Sequence, residues 1–191
     1  MDEFDDLDLL EDVESLEVQG EKEAHEEYPA TIVLVEEHKT IKKAIDILVN
    51  SVKNKVQDES LYLNLARFFS EYADAIHHGK EEKILFEYLK KKKVPEHVLE
   101  IVRELENDHV RGRELVEKIR ENASDVESMG DYALAYASML RDHILKEDEG
   151  LFEAMHPYLP VEEEEEIVKE FRKADPSSKK ELEMLIEKMS L

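Results

Sequence analysis

Two stretches of the sequence repeat one arrangement of imidazole and carboxylate. His77-His78-Gly79-Lys80-Glu81-Glu82-Lys83-Ile84-Leu85-Phe86 and His143-Ile144-Leu145-Lys146-Glu147-Asp148-Glu149-Gly150-Leu151-Phe152 both read H-x-x-x-E-[ED]-x-x-L-F. A histidine and a glutamate four apart lie on one helix face, about one turn from each other. A single such pair is a weak signal, because on a charged helix it is commonly a solvent-facing contact. Here each pair falls in an apolar series, with Ala73 and Ile84 around His77 and Glu81, and Tyr136, Met139 and Leu151 around His143 and Glu147. Two further histidines occupy core stripes of other helices. His38 falls among Leu34, Ile41, Ile45 and Leu48, and His109 among Val98, Val102, Leu105, Val116 and Ile119.

These spacings form an internal repeat. His38 to His109 is 71 residues, and His77 to His143 and Glu81 to Glu147 are each 66. The chain reads as two helical hairpins, each with one histidine on its first helix and His-x-x-x-Glu on its second. Folding them together collects four imidazoles and two carboxylates in one layer. Two buried carboxylates without compensation are very costly, and a pair of divalent or trivalent cations supplies it. The candidate ligands are therefore His38, His77, Glu81, His109, His143 and Glu147, with imidazoles capping each ion and the glutamates bridging. Nitrogen and oxygen donors with open positions suit iron or manganese, and zinc is compatible. Of the other histidines, His25, His97 and His156 read as surface residues. His78 is about 100° around the helix from His77, which favours a gating or neighbouring role over ligation. Tyr136, one heptad before His143, reads either as a site-lining hydroxyl or as an ordinary core tyrosine.

The elements that must position these residues are helical. Gly and Pro number five each in 191 residues, and 41% of the chain is apolar, enough for one packed domain. Helices are expected over about Ala30–Lys55, Ser60–Lys92, Pro95–Asn122 and Tyr132–Met155, with a loop at Ala123–Gly130. Two shorter amphipathic helices follow at Val161–Lys173 and Ser178–Met189, separated by Asp175-Pro176. Short connections between long helices predict an all-α, antiparallel up-down-up-down four-helix bundle over 30–158, with the C-terminal helices of 159–191 packed on it. Residues 1–29 form an acidic tail, with thirteen Asp and Glu against Lys22 up to residue 28. Such a stretch is expected to be disordered, although Leu7, Leu9, Leu10, Val13 and Leu16 would also suit a short docking helix for a protein partner.

Composition removes several classes of function. The absence of cysteine excludes disulfides, thiolate zinc sites and iron–sulfur clusters. A net charge of −23 argues against nucleic acid as a partner. No apolar run is long enough to span a bilayer, and the acidic N-terminus is unlike a secretory signal, so a cytoplasmic location is expected.

The pattern His38 … His77-x-x-x-Glu81 … His109 … His143-x-x-x-Glu147 resembles the hemerythrin-like, or HHE cation-binding, domain. Val35-Glu36-Glu37-His38, Asp108-His109-Val110-Arg111-Gly112-Arg113 and the two repeated stretches resemble its prokaryotic members. The resemblance covers about residues 30–170 and implies a non-haem centre of two Fe ions, acting on O2, peroxide or NO. Oxygen-carrying members place two histidines four apart on the third helix, whereas His109 is followed by Arg113 and preceded by Leu105 at that spacing. The implied sphere is nearly symmetric: His38 and His77 on one ion, His109 and His143 on the other, Glu81 and Glu147 between them. That favours reactivity, of a peroxidase or oxidase type, over reversible oxygen carriage. The alternative is a regulatory module that signals iron occupancy to a partner protein. The Pro that often follows Leu-Phe in the family is replaced by Glu87 and Glu153, which should alter only helix ends. A ferritin-like site needs Glu-x-x-His on two helices, and this chain offers it once, at Glu106 and His109.

Overall fold

A computed structural model describes residues 28–190; residues 1–27 of the acidic tail, with His25 and the stretch that would suit a docking helix, lie outside the described residues. The described chain is helical and contains no strand. Helix α1 is Pro29–Lys53, α2 covers residues 59–92, α3 is Glu96–Glu121 and α4 covers residues 126–155. Helices α5, Val161–Ala174, and α6, Lys179–Met189, complete it. None of them is long and apolar enough to cross a membrane.

Helices α2 and α4 start on local side-chain caps. The Asp58 carboxylate accepts from the Leu61 N–H at 3.1 Å and opens α2, and Asp125 accepts from Glu127 N–H at 3.1 Å to open α4. That second cap explains why α4 begins at Val126, inside the loop expected at Ala123–Gly130. Gly130 does not break the helix because it faces α1: a Cβ there would sit 3.4 Å from Val52 Cγ1. Helix α1 has no side-chain cap of its own. Glu164 of α5 replaces it, accepting from the N–H groups of Ala30 at 3.0 Å and Thr31 at 3.5 Å.

A second departure from the expected regular helices lies in the winding of α2 and α4. Residues Phe69–His78 and Glu81–Leu85 of α2, and Glu147–Leu151 of α4, are wound as π-helix. The N–H groups of Gly79, Phe86 and Phe152 reach back five residues to the carbonyls of Asp74, Glu81 and Glu147. Glu81–Leu85 and Glu147–Leu151 are the same five positions of the repeat. Such insertions recur at functional sites.

The apolar core is split in two. Ile41, Ile45, Leu65, Phe69, Ile119 and Leu140 belong to one cluster, which α6 joins through Leu182 and Ile186. Leu34, Phe86, Leu105, Phe152 and Met155 belong to the other, joined by Phe171 of α5. On all four long helices the histidine and glutamate positions fall between these clusters. Contacts between the helices run in opposite residue order. Along α1 and α4, Lys42 meets Asp148, Asp46 meets Arg141 and Lys55 meets Glu127. Along α2 and α3, Ser70 meets Arg120, Asp74 meets Arg113 and Lys90 meets Glu106.

Candidate metal centre

All six candidate ligands are buried, none more than 1% exposed, and each histidine turns Nε2 inward. His38 Nε2 lies 3.1 Å from Glu147 Oε2 and His143 Nε2 lies 3.2 Å from Glu147 Oε1. His77 Nε2 lies 3.2 Å from Glu81 Oε1 and His109 Nε2 lies 3.5 Å from Glu81 Oε2. Each glutamate therefore offers one oxygen to the His38/His77 pole and the other to the His109/His143 pole. His109 Nε2 and His143 Nε2 are 3.1 Å apart. Donors on one ion at about 2.1 Å and at right angles stand about 3 Å apart, so these separations could accommodate a shared ion. Both oxygens of Glu81 and of Glu147, with Nε2 of His38 and His77, are buried without a hydrogen bond. Unsatisfied groups of this kind are costly in a protein interior, and cations satisfy all of them at once.

The outward ring nitrogens are held by a second ring of carboxylates, each gripped by a cation. His38 Nδ1 meets Asp148 at 2.8 Å, and Asp148 meets Lys42. His109 Nδ1 meets Glu82 at 2.8 Å, and Glu82 meets Arg113. His77 Nδ1 meets Glu37 at 3.0 Å, with Lys80 behind it. His143 Nδ1 is 3.7 Å from Asp108, which pairs with Lys146. Carboxylate–histidine pairs of this type fix the ring and its tautomer for metal binding. The arrangement repeats by the 71- and 66-residue offsets: Glu37 and Asp108, Lys42 and Arg113, Lys80 and Lys146, Glu82 and Asp148. The outer carboxylates went unassigned in the sequence. Their signal was present as an acid before each lone histidine and an acid after each ligand glutamate.

The same contacts set the protonation of the site. Burial disfavours charge on His77 and His143, yet Glu81 and Glu37 around the first, and Glu147 and Asp108 around the second, push both up to about 10. The bond from His109 holds Glu82 down at about 2, and the nearby His143 ring, together with Lys146, does the same for Asp108. Protons and cations thus compete for these imidazoles, and metal uptake is linked to proton release.

A cavity of about 210 Å³ opens on the His109/His143 pole, lined by Phe69, Gly112, Val116, Tyr136 and Met139, with Arg113 and Asp74 beside it. Tyr136 packs edge-on against Phe69 at 4.8 Å and is 2% exposed, so it lines the cavity and the core together. His78 also lines the cavity. Its ring stacks on that of His109 at 3.9 Å, and its Nδ1 faces Asp74 Oδ1 at 3.5 Å without a hydrogen bond. One donor each from His78, Glu81, His109 and His143 lie within 4.8 Å of one another, as do donors from His38, His77, Glu81 and Glu147. Of the histidines read as surface residues, His97 is exposed. His156 is half-buried: its ring stacks on Tyr28 at 3.5 Å and Nε2 lies 3.1 Å from Thr31 Oγ1.

The sequence model of the hemerythrin HHE cation-binding domain matches residues 30–155. The chain belongs to the hemerythrin HHE family. No curated protein and no solved structure matches it significantly. The family match ends at Met155, so the HHE region contains every candidate ligand and every outer carboxylate, while α5 and α6 lie beyond it. Clusters able to hold cations, inside a cation-binding domain, make this layer the candidate metal site of the protein.

Proposed function

We propose that this chain is a non-haem di-iron protein that binds or senses O2, or reacts with peroxide or NO, inside an up-down-up-down four-helix bundle. The observation that carries the reading is the pair of buried glutamates, each turning one oxygen to each histidine pair with no other partner. His38 and His77 would hold one ion, His109 and His143 the other, and Glu81 and Glu147 both. Histidine and carboxylate donors with open positions suit iron and manganese alike, with zinc compatible, and iron is put first on the resemblance to di-iron members of the family. Bound iron supplies redox chemistry toward small oxidants. The chain's own residues aim the imidazoles through Asp148, Glu37, Glu82 and Asp108, exclude bulk water with the two apolar clusters, and admit small molecules through the cavity. The opposite-running helix contacts support the bundle topology.

Metal analysis and an optical spectrum of the protein from an iron-replete host test this reading. The expected result is two irons per chain and an absorption band that changes on exposure to O2, peroxide or NO; zinc alone or no metal would overturn it. Tyr136→Phe should shift that band if its hydroxyl meets the bound molecule, and an unchanged spectrum would return Tyr136 to the core.

A second reading, a module that reports iron occupancy to a partner, is favoured by one specific contact chain. Lys179 of α6 reaches Glu37 at 2.5 Å, and Asp175 reaches the buried Lys80 at 2.5 Å. The outer support of His77 therefore depends on the two C-terminal helices. Iron-dependent protection of residues 161–189 from proteolysis supports the reporter, whereas sustained turnover with a reductant supports an enzyme.

A further inference from the structure

We infer that the cavity at the His109/His143 pole binds a small neutral organic molecule, an alcohol or phenol with an apolar body the size of benzene. The inference deepens the two-iron reading by adding an organic ligand beside the ions, and rests on that reading for what the ligand adjoins. The cavity exists because the two hairpins diverge there. Gly112 and Val116 of α3 stand 71 residues after Ile41 and Ile45, and Asp74 and His78 of α2 stand 66 residues before Leu140 and Ile144. Those four counterparts are at most 1% exposed and belong to one apolar cluster. Each change removes side-chain volume or brings in a polar group, and all four residues line the cavity.

The space exceeds what a diatomic molecule needs. A cavity of about 150 Å³ lined by aliphatic and aromatic side chains holds benzene, and this one measures about 210 Å³. Phe69, Val116, Met139 and Leu140 give it apolar walls, as in sites for small organic ligands. The demand for a hydrogen bond comes from His78. It is 5% exposed, its Nδ1 faces Asp74 Oδ1 at 3.5 Å, and neither nitrogen makes a hydrogen bond. The π winding over Phe69–His78 buries it beside His77, because closing each turn over five residues lowers the rotation per residue below the about 100° of an α-helix. A hydroxyl both donates and accepts, so it answers either nitrogen of a neutral imidazole. Charge decides between neutral and anionic ligands. Asp74, Asp108 and Glu117 outnumber Arg113 in the lining, and Arg113 is already held by Asp74 and Glu82. An anion is disfavoured there, and a neutral hydroxyl compound fits.

Calorimetric titration of the iron-loaded protein with phenol, toluene and benzoate tests this. Phenol should bind at one site per chain and more tightly than toluene, and benzoate should not bind. Gly112→Ile, which copies Ile41 and fills the cavity, should abolish phenol binding. Val116→Phe fills it from the next turn of α3 and serves in its place if the first variant does not fold. His78→Ile, which copies Ile144, should bind toluene no less tightly than phenol. Absence of phenol binding to the wild type, equal wild-type affinity for toluene or benzoate, or phenol binding that the filled variants retain would overturn the inference while leaving the di-iron reading intact. Phenol binding to a chain that takes up no iron would uphold the pocket and remove the di-iron reading.

Discussion

The two poles of the metal layer are built from the same repeat and differ in what stands behind them. At the His109/His143 pole the outer carboxylates Glu82 and Asp108 and their cations Arg113 and Lys146 lie near the surface, and a cavity reaches the imidazoles. At the other pole, Asp148 and Lys42 behind His38 are as exposed as those, but His77 is backed by Glu37 and by Lys80, both nearly inaccessible, with Lys80 about 6 Å from the Phe171 ring. The first pole is arranged for access. The second is arranged for anchorage, and it recruits two helices from outside the family domain to do so. Candidate ligands that repeat between the hairpins therefore sit in unlike surroundings, because the two poles differ in burial.

The largest effect tests what the poles share. Removing metal should lower the thermal stability of the chain by many kcal/mol, because both buried glutamates lose their compensation. A melting curve unchanged by a chelator would show that the layer is structural. Next comes the contrast itself. Glu82→Gln and Glu37→Gln should each weaken iron binding by about 10–100-fold. Only Glu37→Gln should also destabilise the metal-free protein, by roughly 3–5 kcal/mol, since it leaves Lys80 buried with less compensation. Equal unfolding midpoints for the two variants would erase the distinction between anchored and open poles.

Closing the open pole is the third test. Gly112→Ile copies Ile41 into the cavity, where even a Cβ would lie 3.3 Å from Met139 Cε. Azide association, followed by stopped-flow absorption, should slow by on the order of tenfold, with iron content unchanged. The smallest effect concerns the C-terminal buttress. Burial pushes the Glu164 carboxyl up from 4.5 to about 6, against the pull of the Ala30 and Thr31 N–H groups. The folded state then binds the proton more tightly than the unfolded one, so this group's contribution falls as pH rises from 4.5 to about 6. The loss is roughly 1–2 kcal/mol, and denaturant titrations across that window should show it in the wild type and not in Glu164→Gln.

Much of this site was legible in the sequence because side-chain spacing on a helix is geometric. His38, His77, Glu81, His109, His143 and Glu147 declared themselves by sharing positions with core leucines and valines, and the structure buries all six together. The all-helical class and the short C-terminal helices were legible for the same reason. The start of α4 was misread because Asp125 caps it locally, a signal outweighed by the glycine that follows.

Other features needed the tertiary structure. The pairing of outer carboxylates with histidines crosses between hairpins, Glu82 to His109 and Asp148 to His38, and no local pattern specifies which acid meets which ring. Glu164 caps a helix 134 residues away, a contact that only packing creates. The inward turn of His78 depends on π winding, in which packing sets the rotation per residue, whereas a periodicity argument assumes it constant. The sequence by itself set six histidine and glutamate donors on the core stripes of four helices, since donors and their spacing are covalent facts. Which pole opens to small molecules and which is anchored was decided by burial, which exists only once the helices have met.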